Sequence, residues 1–461
     1  TPNRIPGINW VGNHTWSVSA GTIFQHHFSM AQSETNRTPL SIGFDQSTLG
    51  LPANAIDGQR VKYFPTTSIG RLTQVGVTGT GYNAVRSRTW QYNANVTILR
   101  GSHTIKAGFD WRWFPVIIDQ SSPLGVAASG TFTAGPNPQA AAAGTGHGLA
   151  DLFLNAASGI NYTLRPLEDH RHPYYAFYVQ DEWRLNTRLS LTYGIRYNLE
   201  LPRSEVNNVY VFLDRDSPSP LAQKIPGYGN LKGGIGFVGV NGVGNRTQLA
   251  DTDNWDPRIG LAWQMNAKTV VRSGFGIFHH PLVPNTDGSQ GFSRTTSALT
   301  TQPDGVTPTY ALTNPFPQGI LQPQGNAPGL LTNVGLGISG PIRQQRLPYQ
   351  SQWSLDIQRQ LPWSLVLDIG YAGNAAAALP SGVQYNQLPN EMLSLGTALN
   401  QTVPNPFFTY ITDPSSILSR ATVQRGQLLR PFPHFTGMGG NQVPAGHSTY
   451  HGMQVRVERR D

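Results

Sequence analysis

Histidine clusters are the first place to look for chemistry in this chain, because a neutral imidazole binds metals and transfers protons near neutral pH. Three clusters occur: His26-His27, His170-Arg171-His172 and His279-His280. None stands in an H-E-x-x-H motif or a comparable zinc spacing, and a catalytic zinc usually takes three protein ligands and one open position. We therefore interpret these histidines as rim residues and predict no metal site. Capture of a metal at an outer mouth is the alternative.

Signatures of other enzymes are also missing. Residues 335–340 match G-x-G-x-x-G, but they lack the preceding strand, the following helix and the distal acid of a dinucleotide site, so a Gly-rich surface loop is the interpretation. The sequence has no G-x-S-x-G motif, no acid pair in a recognisable catalytic context and no cysteine. We predict no catalytic residue and no cofactor, and therefore no enzyme.

The charge of the chain is basic but dispersed. The 461 residues carry a net charge of +8, without a block of Lys and Arg or a basic helix. Nucleic acid is therefore not predicted as a partner. No apolar run reaches the ~18 residues that a membrane helix requires. A β-barrel remains open, because its strands carry a much weaker hydropathy signal.

Period-two alternation is the dominant pattern of residues 89–113. Apolar and polar side chains alternate up to Gly101-Ser102, a pair suited to a type II′ turn, and alternate again beyond it. Folding the segment about this turn pairs each apolar residue with another: Trp90 with Trp113, Tyr92 with Trp111, Ala94 with Phe109, Val96 with Ala107 and Ile98 with Ile105. The prediction is a hairpin with one apolar and one polar face.

The same pattern recurs along the chain. Together with a strand over residues 16–28 and an interrupted one over 450–459, the hairpins predict about ten strands. Four membrane hairpins are expected near residues 86–114, 174–199, 256–280 and 350–373. Long loops are expected near residues 31–85, 115–173, 200–255, 281–349 and 374–446. Short turns at one end and connections of roughly fifty to seventy residues at the other are the asymmetry of outer-membrane barrels.

Strand length agrees with that interpretation. The nine residues from Trp90 to Ile98 rise ~30 Å along the strand. Tilted at ~45°, they cover about 21 Å of the membrane normal, close to the ~25 Å apolar band of such barrels. The predicted fold class is all-β: part of a transmembrane antiparallel β-barrel with long extracellular loops.

Several segments, in consistent order, resemble the Oar-like branch of the TonB-dependent outer-membrane receptors of Gram-negative bacteria. They are residues 101–108, 175–183, 189–197, 256–263, 271–276, 352–362 and 386–390. The resemblance implies a barrel commonly of 22 strands, an N-terminal plug domain and energy from the TonB complex. We find no plug domain, no TonB box and no closing aromatic strand here. We therefore expect a segment from the middle of such a barrel, with TonB contacted through the missing N-terminal part.

The candidate site residues are chosen by the face of the strand to which the alternation assigns each position. Charges are tolerated in a barrel lumen and penalised on the lipid face. The lumen-facing candidates are Lys106, Asp110, Arg112, Arg196, Arg258, Arg272, Asp356 and Asp368. The membrane-girdle aromatics are Trp90, Tyr92, Trp111, Trp113, Tyr175 and Tyr197.

The functional hypothesis is a receptor and transporter of the bacterial outer membrane. Its loops would bind an unknown solute or macromolecular ligand, and TonB-derived energy would move the ligand across the membrane; import and export both stay open. Outer-membrane lipid is the other expected partner. A surface adhesion or structural protein on the same barrel is the alternative, and a secreted β-rich carbohydrate-active enzyme is disfavoured by the missing acid pair.

Overall fold

The computed structural model describes residues 3–77, 79, 81–137, 142–281, 288–302 and 305–459. Parts of three expected loops, at residues 78, 80, 138–141, 282–287 and 303–304, lie outside the described residues. In the described part of the chain, no helix has the length and apolar character needed to cross a bilayer.

Strands dominate the secondary structure. In chain order they are β1 Asn3–Arg4, β2 Gly7–Ser19, β3 Thr22–Arg37, β4 Thr66–Ile69, β5 Tyr82–Arg100, β6 His103–Ser121, β7 Gly125–Ala128, β8 Gly159–Leu164, β9 Glu168–Asn186, β10 Leu189–Glu200, β11 Ser204–Glu205, β12 Val211–Pro218, β13 Lys232–Phe237, β14 Trp255–Asn266, β15 Thr269–His279, β16 Arg294–Ser297, β17 Gly337–Pro341, β18 Tyr349–Gln360, β19 Leu365–Gln384, β20 Thr402–Pro404, β21 Thr422–Gln424 and β22 Gly437–Arg459. The α-helices are short: α1 Ala53–Ile56, α2 Gly148–Phe153 and α3 Arg425–Leu428.

The long strands form one antiparallel sheet in which each pairs with the next along the chain. Its order is β3-β5-β6-β9-β10-β14-β15-β18-β19-β22, with β2 beside β3. The pairs expected for the β5–β6 hairpin, from Trp90–Trp113 to Ile98–Ile105, are all present. The short turns lie at one end of the sheet, the turn end, and the long connections leave from the other, the loop end. Within the described residues, the edge strands β2 and β22 do not pair with each other.

The prediction of a single strand over residues 16–28 is wrong. Residues 16–28 contain a turn at Ala20-Gly21, so β2 and β3 form a hairpin and the sheet has eleven long strands instead of about ten. A register shift beside Val18 puts Trp16 opposite Phe24, which keeps residues of one parity on one face. The alternation therefore runs through the turn and hides it. Gly21 is needed because a Cβ there would lie 2.8 Å from the Leu99 carbonyl oxygen.

One face of this sheet is apolar and exposed, and we call it the apolar face; the other is the polar face. Exposed apolar side chains include Phe177, Val179, Ile195, Ile259, Phe275, Leu355, Val455 and Val457. This is the burial pattern of a sheet solvated by lipid, because apolar side chains gain nothing by leaving hydrocarbon.

Aromatic residues lie near both ends of the apolar face. The expected girdle residues occupy the loop-end half, where Trp255, which the sequence analysis did not select, joins Tyr197 at a ring distance of 4.6 Å. A second group that strand alternation could have identified lies at the turn end: Trp16, Trp183 and Trp263. Trp363 lies in the β18–β19 turn at the same end. On β9 and β14 the two groups stand eight residues apart. That spacing is ~26 Å along a strand and about 20 Å along the normal at the usual tilt.

The long connections are folded rather than irregular. Residues 38–81, 122–167, 201–254, 280–348 and 385–436, as far as they are described, form a region that we call the head. It contains the sheets β12–β13, β16–β8–β7–β4 and β20–β21. Apolar cores lie inside it, around Ile235 and Phe435, around Phe407 and Leu418, and around Ile160 and Tyr162. The head therefore buries apolar side chains internally, as a water-soluble domain does.

The Gly-rich segment at residues 335–340 belongs to this head and not to a surface loop as expected. Its second half is in β17, which pairs in parallel with the start of β22, and Ile338 is buried in the core. Gly335 has φ +88, and a Cβ there would lie 2.5 Å from a methyl carbon of Ile411. Close packing and the positive φ angle account for the glycine at position 335.

His434 is a buried polar group in the same core. Its ring lies beside Phe435 and Phe407, at 4.4 and 6.4 Å between centroids. Neither ring nitrogen makes a well-formed hydrogen bond among the described residues, although the Gly233 backbone is close enough to interact weakly with the ring. Burial lowers the pKa of His434 to about 4, because a charged imidazole would lose its hydration there.

We expect the loss in free energy of unfolding caused by a new arginine to differ between the two faces of the sheet. Arginine at Val179, midway between the aromatic groups of β9, should cost about 2–4 kcal/mol in lipid, whereas arginine at the neighbouring Gln180 on the polar face should cost far less. Urea unfolding in liposomes, followed by heat-modifiable migration on gels, measures both. Equal costs would contradict the assignment of faces.

We also expect acid to destabilise the head through His434. Below the unfolded pKa of 6.5 the unfolded chain binds a proton that the folded head excludes, so stability is full above pH 6.5 and falls until about pH 4. The total loss is about 3 kcal/mol for that difference in pKa. Hydrogen exchange of head amides at pH 7 and pH 5 should detect it, and His434→Phe should abolish it. His447→Phe, at an exposed position of β22, is the control and should leave the pH dependence intact.

Candidate functional site

The register places all eight lumen-facing candidates on the polar face. Arg196 lies opposite Asp256, Arg272 opposite Asp356, and Asp368 opposite Arg456. Because these residues are far apart in sequence, only strand pairing brings them together. That the polar face lines a lumen stays a prediction.

Three of the candidates meet in one cluster near the loop end. Asp110, which is 5% exposed, accepts hydrogen bonds from Arg112 Nε at 3.1 Å and Nη2 at 2.8 Å. Arg196 Nη2 lies 3.2 Å from the same carboxylate. Two guanidinium groups therefore share one buried carboxylate, and their charge exceeds its own by one.

Tyr174 and Asn198 extend this cluster across β9 and β10. Asn198 Oδ1 accepts hydrogen bonds from Tyr174 at 2.7 Å and from Arg196 Nε at 2.9 Å. The Arg112 guanidinium also lies 5.2 Å from the Tyr174 ring centroid, within the range of a cation–π contact. The sequence analysis missed both residues because it selected charged residues only, although both alternate with the residues of the polar face.

Asp256 continues the network to β14 and β15. Its carboxylate accepts a hydrogen bond from Asn198 Nδ2 at 2.9 Å and lies 2.7 Å from His279 Nδ1. Arg258 is only 3.9 Å away from it and lies over the Phe278 ring. The chain Asp110–Arg196–Asn198–Asp256–His279 thus connects the four strands β6, β10, β14 and β15 through side chains, and we call it the polar network.

The rim interpretation is wrong for His26-His27, which lie inside β3 opposite Ala94 and Asn93. The other two clusters lie at the loop ends of β9 and β15, and for them the interpretation stays a prediction. His172 Nε2 lies 3.0 Å from Glu200, and His170, 3% exposed, contacts Tyr210 and Glu168. Within β3, His26 Nδ1 lies 2.9 Å from the Tyr92 hydroxyl on the apolar face. No group of three potential metal ligands occurs among the described residues.

A cavity of about 100 Å³ lies beside the polar network where sheet and head meet. Its walls include Arg112, Phe114, His172, Tyr174, His279 and His280. Glu200 and His172 also border a neighbouring recess that reaches Asp251 in the head. Burial and a hydrogen bond shared with Asp253 raise the pKa of Asp251. The cavity thus combines aromatic rings, one guanidinium, three imidazoles and the Glu200 carboxylate, which suits a polar ligand with an unsaturated or ring portion.

Lys106, Arg272, Asp356 and Asp368 do not join this network. Arg272 lies 3.6 Å from Asp356 nearer the turn end, and Arg456 pairs with Glu458 at 2.9 Å. Lys106 lies between Thr97 and Gln180.

Removing the shared carboxylate should show how much the polar network contributes to the free energy of unfolding. Asp110→Ala leaves two guanidinium groups uncompensated and should cost about 1–3 kcal/mol, discounted for the partial exposure of Arg112. A double-mutant cycle with Arg196→Ala should give a coupling of at least about 0.5 kcal/mol. Urea unfolding in detergent provides the measurement. Asp57→Ala, which breaks the exposed Asp57–Lys62 pair, is the control and should change stability by under ~1 kcal/mol; a loss as large as that of Asp110→Ala would contradict the special role of the network.

Comparison with known proteins gives one family. The model of the outer membrane beta barrel domain matches residues 1–461. Comparison with curated proteins gave no match.

Similar solved structures are outer-membrane proteins at low identity. The transporter YddB from Escherichia coli is 10% identical with a TM-score of 0.41, covering 84% of this chain and 36% of its own. The FrpB iron transporter from Neisseria meningitidis is 11% identical with a TM-score of 0.39, covering 99% of this chain and 42% of its own. The Serratia marcescens hemophore receptor HasR is 9% identical with a TM-score of 0.41, covering 99% and 46%. The chain spans less than half the length of each of these proteins.

The match over the full sequence agrees with the lipid-solvated antiparallel sheet, its short turns and its long connections. The chain therefore belongs to the outer membrane beta barrel domain family, and its location is the bacterial outer membrane.

Proposed function

We propose that this chain is the barrel segment of an Oar-like, TonB-dependent receptor that binds a ligand on the extracellular side and moves it across the outer membrane. The observation that carries the proposal is the polar network together with the cavity beside it. The network lies on the polar face and the cavity lies at the junction with the head. Membership of the barrel family supports the location of both.

The geometry suggests how a ligand would be received. A solute entering between head and sheet meets Phe114 and Tyr174 as apolar and aromatic surfaces and Arg112 as a charged hydrogen-bond donor. Arg112 is held in place by Asp110, so little side-chain entropy is lost on binding. Beyond the cavity, the polar face offers hydrogen-bonding groups and little apolar surface toward the turn end.

Transport requires more than this segment. In the proposal, energy comes from the TonB complex, which acts through an N-terminal part of the receptor. The chain's own residues bind and orient the ligand and perform no catalysis. The ligand is a small solute or a macromolecule recognised by the head.

A surface adhesin is the second candidate, and the head is the observation that favours it. Its internal cores give it a defined surface. Large apolar side chains stand on that surface, including Leu40 at 85%, Phe153 at 82% and Leu299 at 74% exposure. Such residues serve protein contacts when they cluster.

Uptake in TonB-deficient cells distinguishes the two. The full-length protein, its deletion and a strain without TonB would be grown in a defined mixture of ferric citrate, haem, disaccharides and short peptides, with depletion followed by mass spectrometry. The transporter predicts that at least one component is depleted more slowly in both deficient strains and in Arg196→Met. Arg188→Met, at an exposed turn, is the matched control. If depletion is unchanged everywhere while surface attachment falls only in the deletion strain, the adhesin is correct.

A further inference from the structure

The apolar face changes character above its loop-end aromatic residues. Strands β3, β5, β6 and β9 continue past the row that contains Met30, Trp90, Trp113 and Pro173. The next residues of the same parity form two further rows on the lipid side: Gln32, Arg88, Pro115 and Arg171, then Glu34, Arg86, Ile117 and Asp169. Apolar side chains thus give way to guanidinium and carboxylate groups within two residues.

These rows explain why four strands were predicted too short. The expected loops began at residue 31 and at residue 115 and ended at 85 and at 173, yet β3 reaches Arg37, β6 reaches Ser121, β5 begins at Tyr82 and β9 begins at Glu168. The alternation that predicts these strands stops at this level, because the lipid-side residues become mostly polar or charged while the opposite face packs against the head. The strands themselves continue through the headgroup region.

Three arginines dominate the two rows. Arg171 donates from Nε and Nη2 to Asp169 at 2.9 and 2.7 Å, which leaves Nη1 outside that pair. Arg86 pairs with Glu34 through Nε. Arg88 donates from Nε to Gln32 Oε1 at 2.7 Å, and no carboxylate of the described residues forms an ion pair with it.

The position of these arginines along the membrane normal follows from strand geometry. Two residues advance a strand by ~6.6 Å, or about 5 Å along the membrane normal at a ~45° tilt. Interfacial Trp and Tyr rings lie at headgroup level. Arg88 and Arg171 therefore stand just above Trp90 and Trp113, among the headgroups of the outer leaflet.

We propose that Arg86, Arg88 and Arg171 bind the phosphate groups of an outer-leaflet lipid. A guanidinium presents a planar fork of donors that matches phosphate oxygens, and it is more weakly hydrated than an ammonium group. These side chains point to the lipid side of the sheet, so a solute on the polar face does not reach them. Glu34 and Asp169 orient the guanidinium planes and keep the local charge small, so recognition depends on short-range contacts. This site is independent of the transport proposal.

The test uses the full-length protein in nanodiscs of phosphatidylcholine, with lipid A as the probe. Native mass spectrometry would compare bisphosphorylated lipid A with its dephosphorylated form, for the wild type and for the double variant Arg88→Gln, Arg171→Gln. We expect the phosphorylated form to bind preferentially and the variant to weaken it about tenfold or more, as expected for loss of charge-assisted hydrogen bonds. The control Arg184→Gln, Arg188→Gln carries the same charge change at the turn end and should bind normally.

Several results would overturn the proposal. They are equal binding of both lipid forms, equal binding by the double variant and wild type, or displacement of lipid A by inorganic phosphate alone, which would indicate a simple anion site. Heat-modifiable migration verifies that each variant is folded. If the double variant does not fold, Arg88→Lys with Arg171→Lys keeps the charge but removes the fork, and unchanged lipid A binding by that variant would equally contradict the proposal.

Discussion

Backbone hydrogen bonding in hydrocarbon is the constraint on which the rest of this structure depends. No water is available there, so each N–H and C=O of a spanning strand needs a partner within the sheet. Each long strand accordingly pairs with its neighbour in sequence, through turns of a few residues at one end. The constraint applies equally to β2 and β22, whose outer edges need partner strands wherever they cross the membrane.

Lipid and water surround different parts of this chain, so apolar side chains face outward in the sheet and inward in the head. In the sheet, apolar side chains such as Phe177 and Ile259 face outward, because lipid is their solvent. In the head, residues such as Phe407 and Ile235 lie inside, because water surrounds it. The arginines above Trp90 mark the level at which one arrangement replaces the other, and the proposed lipid site uses that transition.

Register turns scattered charges into a network. Asp110 and Arg196 are 86 residues apart, and Asn198 and Asp256 are 58 apart. Strand pairing puts both pairs within hydrogen-bond distance, across β9 for the first pair and between the adjacent strands β10 and β14 for the second. The same register positions Arg112 and Tyr174 on the wall of the cavity below the head. The proposed ligand site is therefore a product of strand pairing and of head packing together.

The sequence by itself determined the fold class, the β5–β6 register, the two faces of the sheet and the end at which the turns lie. Those features follow from a period of two and from lipid acting on each residue separately, so a local pattern is sufficient to read them. The tertiary structure alone decided the hidden turn at Ala20-Gly21, the strand ends above the membrane, the cores of the head and the partners of His172 and His279. These depend on a register shift, on a change of solvent or on contacts between connections distant in sequence, and none of them leaves a periodic signal in the chain.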